Sequence, residues 1–285
     1  TVLISEDAFV EGNESLTLTL SNPTGGLSLG AQNTASLTIT DDPTNPPAVN
    51  PLDTAQTFVC QHYHDFLSRQ PDPAGLAFWT DQITSCGADT QCIEIRRINV
   101  SAAFFLSIES QETGFLVHRL YKAAYNDLPG APVPVTYNEF LPDTQRIAKD
   151  VIVGQAGWPD VLEANKQAFL LALVSRSRFA TAFPTTMTPA EFVDALFTNA
   201  GVTPSAAARQ AAIDEFAGAT TTGDLAARAR ALRRVAENST FVQQEFNRAF
   251  VLMQYFGYMR RSPNDAPDTN CDGYIFWLNK LNQFN

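Results

Sequence analysis

Long apolar runs are missing from this chain. No stretch approaches the roughly 18 consecutive apolar residues that a membrane-spanning helix needs. Charge is scarce too: Asp, Glu, Lys and Arg make up 17% of the 285 residues, against about 25% in an average soluble protein. The shortage is greater on the positive side, with 19 Lys and Arg against 30 Asp and Glu and a formal net charge of -11. Nucleic acid is therefore not an expected partner, because phosphate contacts need clustered Lys and Arg. Cations are the more natural guests. Histidine is rarer still, with three residues. His62 and His64 are two apart and fall on different faces of a helix, whereas a helical metal pair wants a spacing of four. His118 stands alone. With no evident general base and no catalytic constellation, the chain is not expected to be an enzyme. No basic segment followed by an apolar one opens at Thr1, so no secretory signal is visible, and the chain is expected to begin inside a domain.

Cysteine is limited to four residues, Cys60, Cys86, Cys92 and Cys271. Zinc sites favour closely spaced Cys pairs with His nearby, and that pattern is absent. Disulfides are the expectation. Cys86 and Cys92 can close a small loop, which leaves Cys60 and Cys271 to pair with each other, in an oxidising compartment.

What is present changes character along the chain. Leu16, Leu18 and Leu20 alternate with Thr17, Thr19 and Ser21, and Leu37 and Ile39 alternate with Thr38 and Thr40. That period of two marks half-buried strands. Asn22-Pro-Thr-Gly-Gly26 supplies a turn between them. Gly26-Leu-Ser28-Leu-Gly30 matches GxSxG, but a nucleophile elbow needs a helix after it and a strand follows here. Residues 43–53 are rich in proline and read as a semi-rigid linker. From there the period is helical. Asp72-Pro73 looks like a helix cap with proline in the first turn, and Leu76, Trp79 and Ile83 continue an apolar stripe. Further helical runs fall around 92–108, 115–125, 161–179, 189–200, 205–216, 225–236, 241–259 and 274–281. The three tryptophans, Trp79, Trp158 and Trp277, read as core residues.

The helical part repeats itself. Tyr63-His-Asp-Phe66-Leu-Ser-Arg69-Gln-Pro71-Asp72 is followed by Gly75 and Trp79. Tyr255-Phe-Gly-Tyr258-Met-Arg-Arg261-Ser-Pro263-Asn264 is followed by Gly273 and Trp277. Tyr, the second aromatic, Arg and Pro stand at identical offsets, and Gly and Trp are four apart in both. Such repetition predicts stacked helix-turn-helix units that share a core, with the last unit stopping after its second helix. Each Arg, beside Asp72 or Asp265, is expected to brace its turn through carbonyls or a carboxylate.

Two resemblances follow. The segment Glu6-Asp7-Ala-Phe-Val-Glu11-Gly-Asn-Glu14 through Asn22-Pro23, ending at Asp41-Asp42, resembles the C-terminal half of a Calx-beta domain. From about Thr54 the chain resembles a helical domain family of bacterial secreted and surface proteins, the domain of unknown function numbered 4214, whose hallmark is the RxPDxxGxxxW element at Arg69–Trp79. That element is also similar to the repeat of phycobilisome linker proteins. Together they imply a multidomain, mainly α chain: a partial antiparallel β-sandwich in residues 1–42, the linker in 43–53 and an all-α domain of repeated helix-turn-helix units in 54–285. The Calx-beta resemblance implies calcium held by Asp7, Glu11, Glu14, Asp41 and Asp42, a set whose mutual repulsion a cation would relieve. A weaker second loop, Asp268, Asn270 and Asp272 with Gly273, fits the first half of an EF-hand. Its twelfth position is Asn279, not Glu, so a helix-capping turn is the better reading.

The expected function is structural: a secreted or cell-surface subunit of a layer, matrix or filament, non-catalytic and self-associating or bound to other surface proteins. Its incomplete sheet is expected to be covered either by upstream sequence or by strands donated by a neighbouring subunit. The alternative is a calcium-dependent adhesion or glycan- or protein-binding module.

Overall fold

The computed structural model describes residues 13–21, 29–40 and 50–284. The chain is mainly helical. Its β structure among the described residues is one two-stranded antiparallel sheet, β1 (Glu14–Thr19) paired with β2 (Thr34–Ile39). Leu16 stands opposite Leu37, Leu18 opposite Ala35, and Thr17 opposite Ser36. Because side chains alternate between faces, one face carries Leu and Ala, with Ile39 at its end, and the other carries only Ser and Thr.

A 3-10 turn at Pro51–Asp53 leads into α1 (Ala55–Leu67), capped by the Thr54 hydroxyl and closed by Ser68 in the left-handed region. Next come α2 (Pro73–Thr84), where Asp72 accepts from the Gly75 amide, and α3 (Thr90–Phe105), where Asp89 accepts from the Cys92 amide. These are the caps that Asp ahead of a helix provides. A single turn, α4 (Ile108–Ser110), runs through a π-helical segment at Gln111–Phe115 into α5 (Leu116–Tyr125). The widened turn sets Gly114 against Met253 and Phe140.

Seven further helices precede the last. They are α6 (Tyr137–Ala148), α7 (Trp158–Val174), α8 (Ser177–Ala182), α9 (Pro189–Ala200), α10 (Ala206–Asp214), α11 (Leu225–Ala236) and α12 (Ser239–Tyr258), and all but α7 and α8 open on a side-chain cap. The last is α13 (Asp272–Asn282). Helices α6 and α9 open on complete capping boxes, Thr136 with Glu139 and Thr188 with Glu191, each satisfying two otherwise orphaned amides. Val133, Val135 and Val151 are buried in connecting segments and form no strand.

The core is continuous from Val59 to Leu278. At its centre lies α5, with eight of its ten residues buried, packed against α6, α8, α9, α11 and α12. The two ends of the helical region meet where α1 packs on α12. Phe66 and Tyr258 touch edge to face there, with centroids 4.9 Å apart, and Arg260 pairs with Asp65 at 3.2 Å. At Gly257 any side chain would overlap the Phe66 ring.

Helix α7 is tied to α11 by a bidentate pair, Arg233 to Glu163 at 2.6 and 2.9 Å. The Arg233 hydrogen bond holds the Glu163 carboxyl at about 2, below its usual 4.5. A carboxyl lowered on folding contributes stability above its unfolded value, and that contribution is lost as pH falls from about 4.5 towards 2. Unfolding followed across that window should show a loss that Glu163→Gln reduces. Added salt should shrink the difference, since the pair is partly exposed. An identical acid limb in the variant would refute the assignment.

Candidate functional site

The two copies of the repeated turn share one construction. In the first, the Arg69 guanidinium lies 4.8 Å from the centroid of the Tyr63 ring and donates to the Gln70 carbonyl at 3.2 Å. In the second, the Arg261 guanidinium lies 5.5 Å from the Tyr255 ring and donates to the carbonyls of Ser262 and Asp265 at 3.3 and 2.9 Å. The glycine that opens the following helix admits the tyrosine hydroxyl. A Cβ on Gly75 would overlap Tyr63 Oη, and one on Gly273 would overlap Tyr255 Oη. Burial pushes both phenols up, so they stay protonated at neutral pH.

The carboxylate partners differ from the expected ones. Arg69 lies 3.6 Å from Asp72, but its bidentate partner is the buried Glu109, at 2.7 and 2.9 Å. Arg261 reaches Asp268 at 2.7 Å, while the Asp265 carboxylate accepts from the Ser262 amide. Both arginines have internal acceptors. The arrangement braces two helix junctions.

The weaker loop is built in the same spirit. Asp268 is held by Arg261, and Asn270 Nδ2 donates to Asp272 at 2.6 Å while its Oδ1 accepts the Asp272 amide. These residues stitch the entry to α13. Of the five carboxylates expected around calcium, Asp7, Glu11, Asp41 and Asp42 lie outside the described residues, and Glu14 opens β1 opposite Ile39. Among the described residues, no three His, Cys, Asp or Glu side chains are grouped to hold a metal ion.

Cys86 and Cys92 are joined, with Cα atoms 5.7 Å apart, which fastens the end of α2 to the first turn of α3. Cys60 and Cys271 are free, which corrects the pairing expected by elimination. Cys60 lies along α1, its sulfur 4.0 Å from His64 Nε2. Cys271 is buried at the start of α13. Burial raises both thiols, which keeps them protonated and poorly nucleophilic.

His62 and His118 are buried and hydrogen-bonded within the protein. His62 Nδ1 lies 2.8 Å from the Phe58 carbonyl, and its Nε2 lies 2.6 Å from Ser101 Oγ. Burial lowers its pKa. His118 and Glu245 form a buried contact of 2.9 Å. Burial works to raise the Glu245 carboxyl, but the His118 hydrogen bond and nearby charge outweigh it and hold it below its usual range.

Besides a cleft of about 420 Å³ over the first braced turn, lined by Tyr63, Arg69, Asp72, Trp79 and Glu109, two grooves of the described surface contrast in character. One, of about 520 Å³, lies between α7 and α11. Its arginines are neutralised in place: Arg233 by Glu163 and Glu237, and Arg230 and Arg234 by Glu215. The other, of about 560 Å³, is apolar and lies between α12 and α13. Trp277, expected in the core, stands on its wall and is 60% exposed. Trp79 and Trp158 are half-buried against the core.

Residues 51–113 match the family model described as a domain of unknown function (DUF4214). The match takes in α1, α2 and α3 with the first Tyr-Arg-Gly turn. No curated protein and no solved structure matches the chain. Among the described residues, no helix is long and apolar enough to cross a membrane.

The tyrosine-over-glycine contact is testable in both copies. Gly75→Ala and Gly273→Ala should each lower stability by about 1–3 kcal/mol, the usual cost of overpacking. Adding Tyr63→Phe to Gly75→Ala should return much of that loss, because the overlapping oxygen is gone. Additive losses in thermal or urea unfolding would show that the contact does not set the cost.

Proposed function

We propose that the protein is a non-enzymatic structural subunit of a bacterial extracellular surface layer, matrix or filament, whose β-hairpin is completed by strands from a neighbouring subunit. The open apolar face of the hairpin carries this reading. Leu18 is 51% exposed, Leu20 67% and Leu37 41%, while the opposite face is all Ser and Thr. Burying such side chains is worth about 1.5–3 kcal/mol each, and a lone two-stranded hairpin is marginal in water. A cover for the face and a partner for the strand edges would supply what two strands cannot. The resemblance of this segment to half of a Calx-beta domain supports the same view, since the complete fold is a sandwich. The Cys86–Cys92 disulfide supports an exported protein. The structural pairing of His62 and His118 supports a role without catalysis.

Electron microscopy and light scattering of the purified chain should show oligomers or filaments. Leu18→Asp combined with Leu37→Asp should leave monomers with unchanged helical circular dichroism. Monodisperse wild-type monomers would sink the proposal.

The hairpin register favours a second reading, a calcium-dependent adhesion or glycan- or protein-binding module. Glu14 is the partner of Ile39. In sequence, Asp7 and Glu11 precede Glu14, and Asp41 and Asp42 follow Ile39. Five carboxylates lying so close in sequence to the two strands would match the oxygen-rich set of six to eight ligands that a calcium ion takes. Calorimetry should then give a heat of calcium binding that Asp41→Asn with Asp42→Asn removes, and no heat in the wild-type chain would dismiss this reading.

A further inference from the structure

The two copies of the repeated turn are covered differently. In the first copy, α3 lies over α1 and α2. Phe104 sits 4.9 Å from Tyr63 and 5.8 Å from Trp79, ring centre to ring centre. Phe105 sits 4.2 Å from Phe66, and Ser101 bonds His62. Aligning Tyr63 with Tyr255 and Gly75 with Gly273 makes Phe66 the counterpart of Tyr258, Leu67 of Met259, Trp79 of Trp277 and Ile83 of Leu281. The residues under α3 are shielded, with Phe66 at 9% exposure, Leu67 at 5% and Ile83 at 3%. Two of the three counterparts are open, Tyr258 at 48% exposure and Met259 at 43%, while Leu281 is half-buried against the core. These counterparts, with Phe250 and Tyr255, form the wall of the apolar groove between α12 and α13.

We propose that this groove is a docking site for an amphipathic helix of a partner protein, seated as α3 is seated on α1 and α2. The occupant's chemistry is read from α3: a small aliphatic followed at the fourth and fifth positions by two large aromatics, as in Val100, Phe104 and Phe105. Each substitution between the two beds keeps the apolar character, as Phe to Tyr, Leu to Met and Ile to Leu. The groove also continues an interface that already exists, because the Phe105 ring reaches Phe250 at 5.6 Å and Tyr258 at 5.7 Å. A second copy of the chain is a poor donor of α3. That helix is fastened to α2 through Cys86–Cys92, and its inward residues Val100, Phe104 and Phe105 are buried in their own unit. A helix laid in a groove through residues at i, i+4 and i+5 is an established mode of recognition. The proposal stands independently of how the hairpin is covered.

The test uses the full chain and a labelled, end-capped peptide of residues 90–105 carrying Cys92→Ser. Anisotropy should rise saturably. Affinity should fall at least about tenfold in Trp277→Ser and in Met259→Glu, and likewise for a peptide with Phe104→Ser and Phe105→Ser. Phe78→Ser, on the first unit, should leave binding unchanged. Both groove residues are exposed enough to be replaced without unfolding, which circular dichroism checks. Absence of saturable binding, or binding indifferent to both groove variants, overturns the proposal. A dimer of the chain that Trp277→Ser dissociates in sedimentation also overturns it, in favour of a second copy.

Discussion

Helix α5 is buried on nearly every side yet carries His118, Arg119 and Lys122, and this conflict constrains the whole helical region. A polar group removed from water must find a partner inside the protein. His118 meets Glu245 on α12, and Arg119 donates to the last carbonyl of α11, that of Ala236, at 2.8 Å. Tyr121 donates to Asp143 on α6, which also takes a bidentate contact from Arg176. Lys122 turns back to Asn126 and Asp127. Removing one partner of a buried pair costs about 3–5 kcal/mol, because the other is left uncompensated. Helices α6, α11 and α12 therefore cannot slide along α5 without stranding a polar group. Apolar contacts alone would tolerate such sliding far better.

That fixed register reaches the surface through α12. The inner end of α12 is held by Glu245, and its outer end carries Tyr255, Tyr258 and the second braced turn. Since α1 packs on α12 through Phe66 and Gly257, the polar network beneath α5 positions both copies of the turn. The turns need that rigidity. A tyrosine hydroxyl over a glycine tolerates no side chain at the glycine, and an arginine stacked on the same tyrosine can accept only one path for the chain that follows. Repeating the pattern 192 residues later, as Tyr63 and Tyr255 show, reproduces the junction even though the second loop is longer.

Much of this was legible in the sequence because it rests on local rules. Alternating Leu and Thr gave the strands, and the register of the hairpin confirms that alternation as two segregated faces. Asp72 before Pro73 marked the start of α2. The offsets of Tyr, Arg, Pro, Gly and Trp exposed the repeat before any contact was known. The failures have physical causes. Helix α6 was hidden by Pro142 within it, although Thr136 and Glu139 carried the capping-box signal three residues apart. The link between Cys60 and Cys271 was inferred by elimination, which ignores where chain folding puts two sulfurs. Glu109, the true partner of Arg69, lies 40 residues away, beyond any local pattern. Trp277 was assigned to the core because its local pattern matches that of Trp79. What buries Trp79 is the third helix of the first unit, and no neighbour-counting along the second copy could reveal its fate.

Two of the apolar surfaces of the described residues differ in kind. The hairpin face is a strip of Leu and Ile side chains beside strand edges that have no partner strand among the described residues, so a partner there must offer backbone hydrogen bonds as well as apolar area. The α12–α13 groove has its backbone satisfied within its own helices and is walled by aromatic and thioether side chains. A partner there needs only shape and apolar side chains, and the flexible Met259 can adjust to it. An extended strand would enter the groove with its peptide groups unpaired, at a cost of about 1–3 kcal/mol for each one buried. A helix brings its own hydrogen bonds. The difference in backbone satisfaction is the ground on which strands are proposed for one surface and a helix for the other.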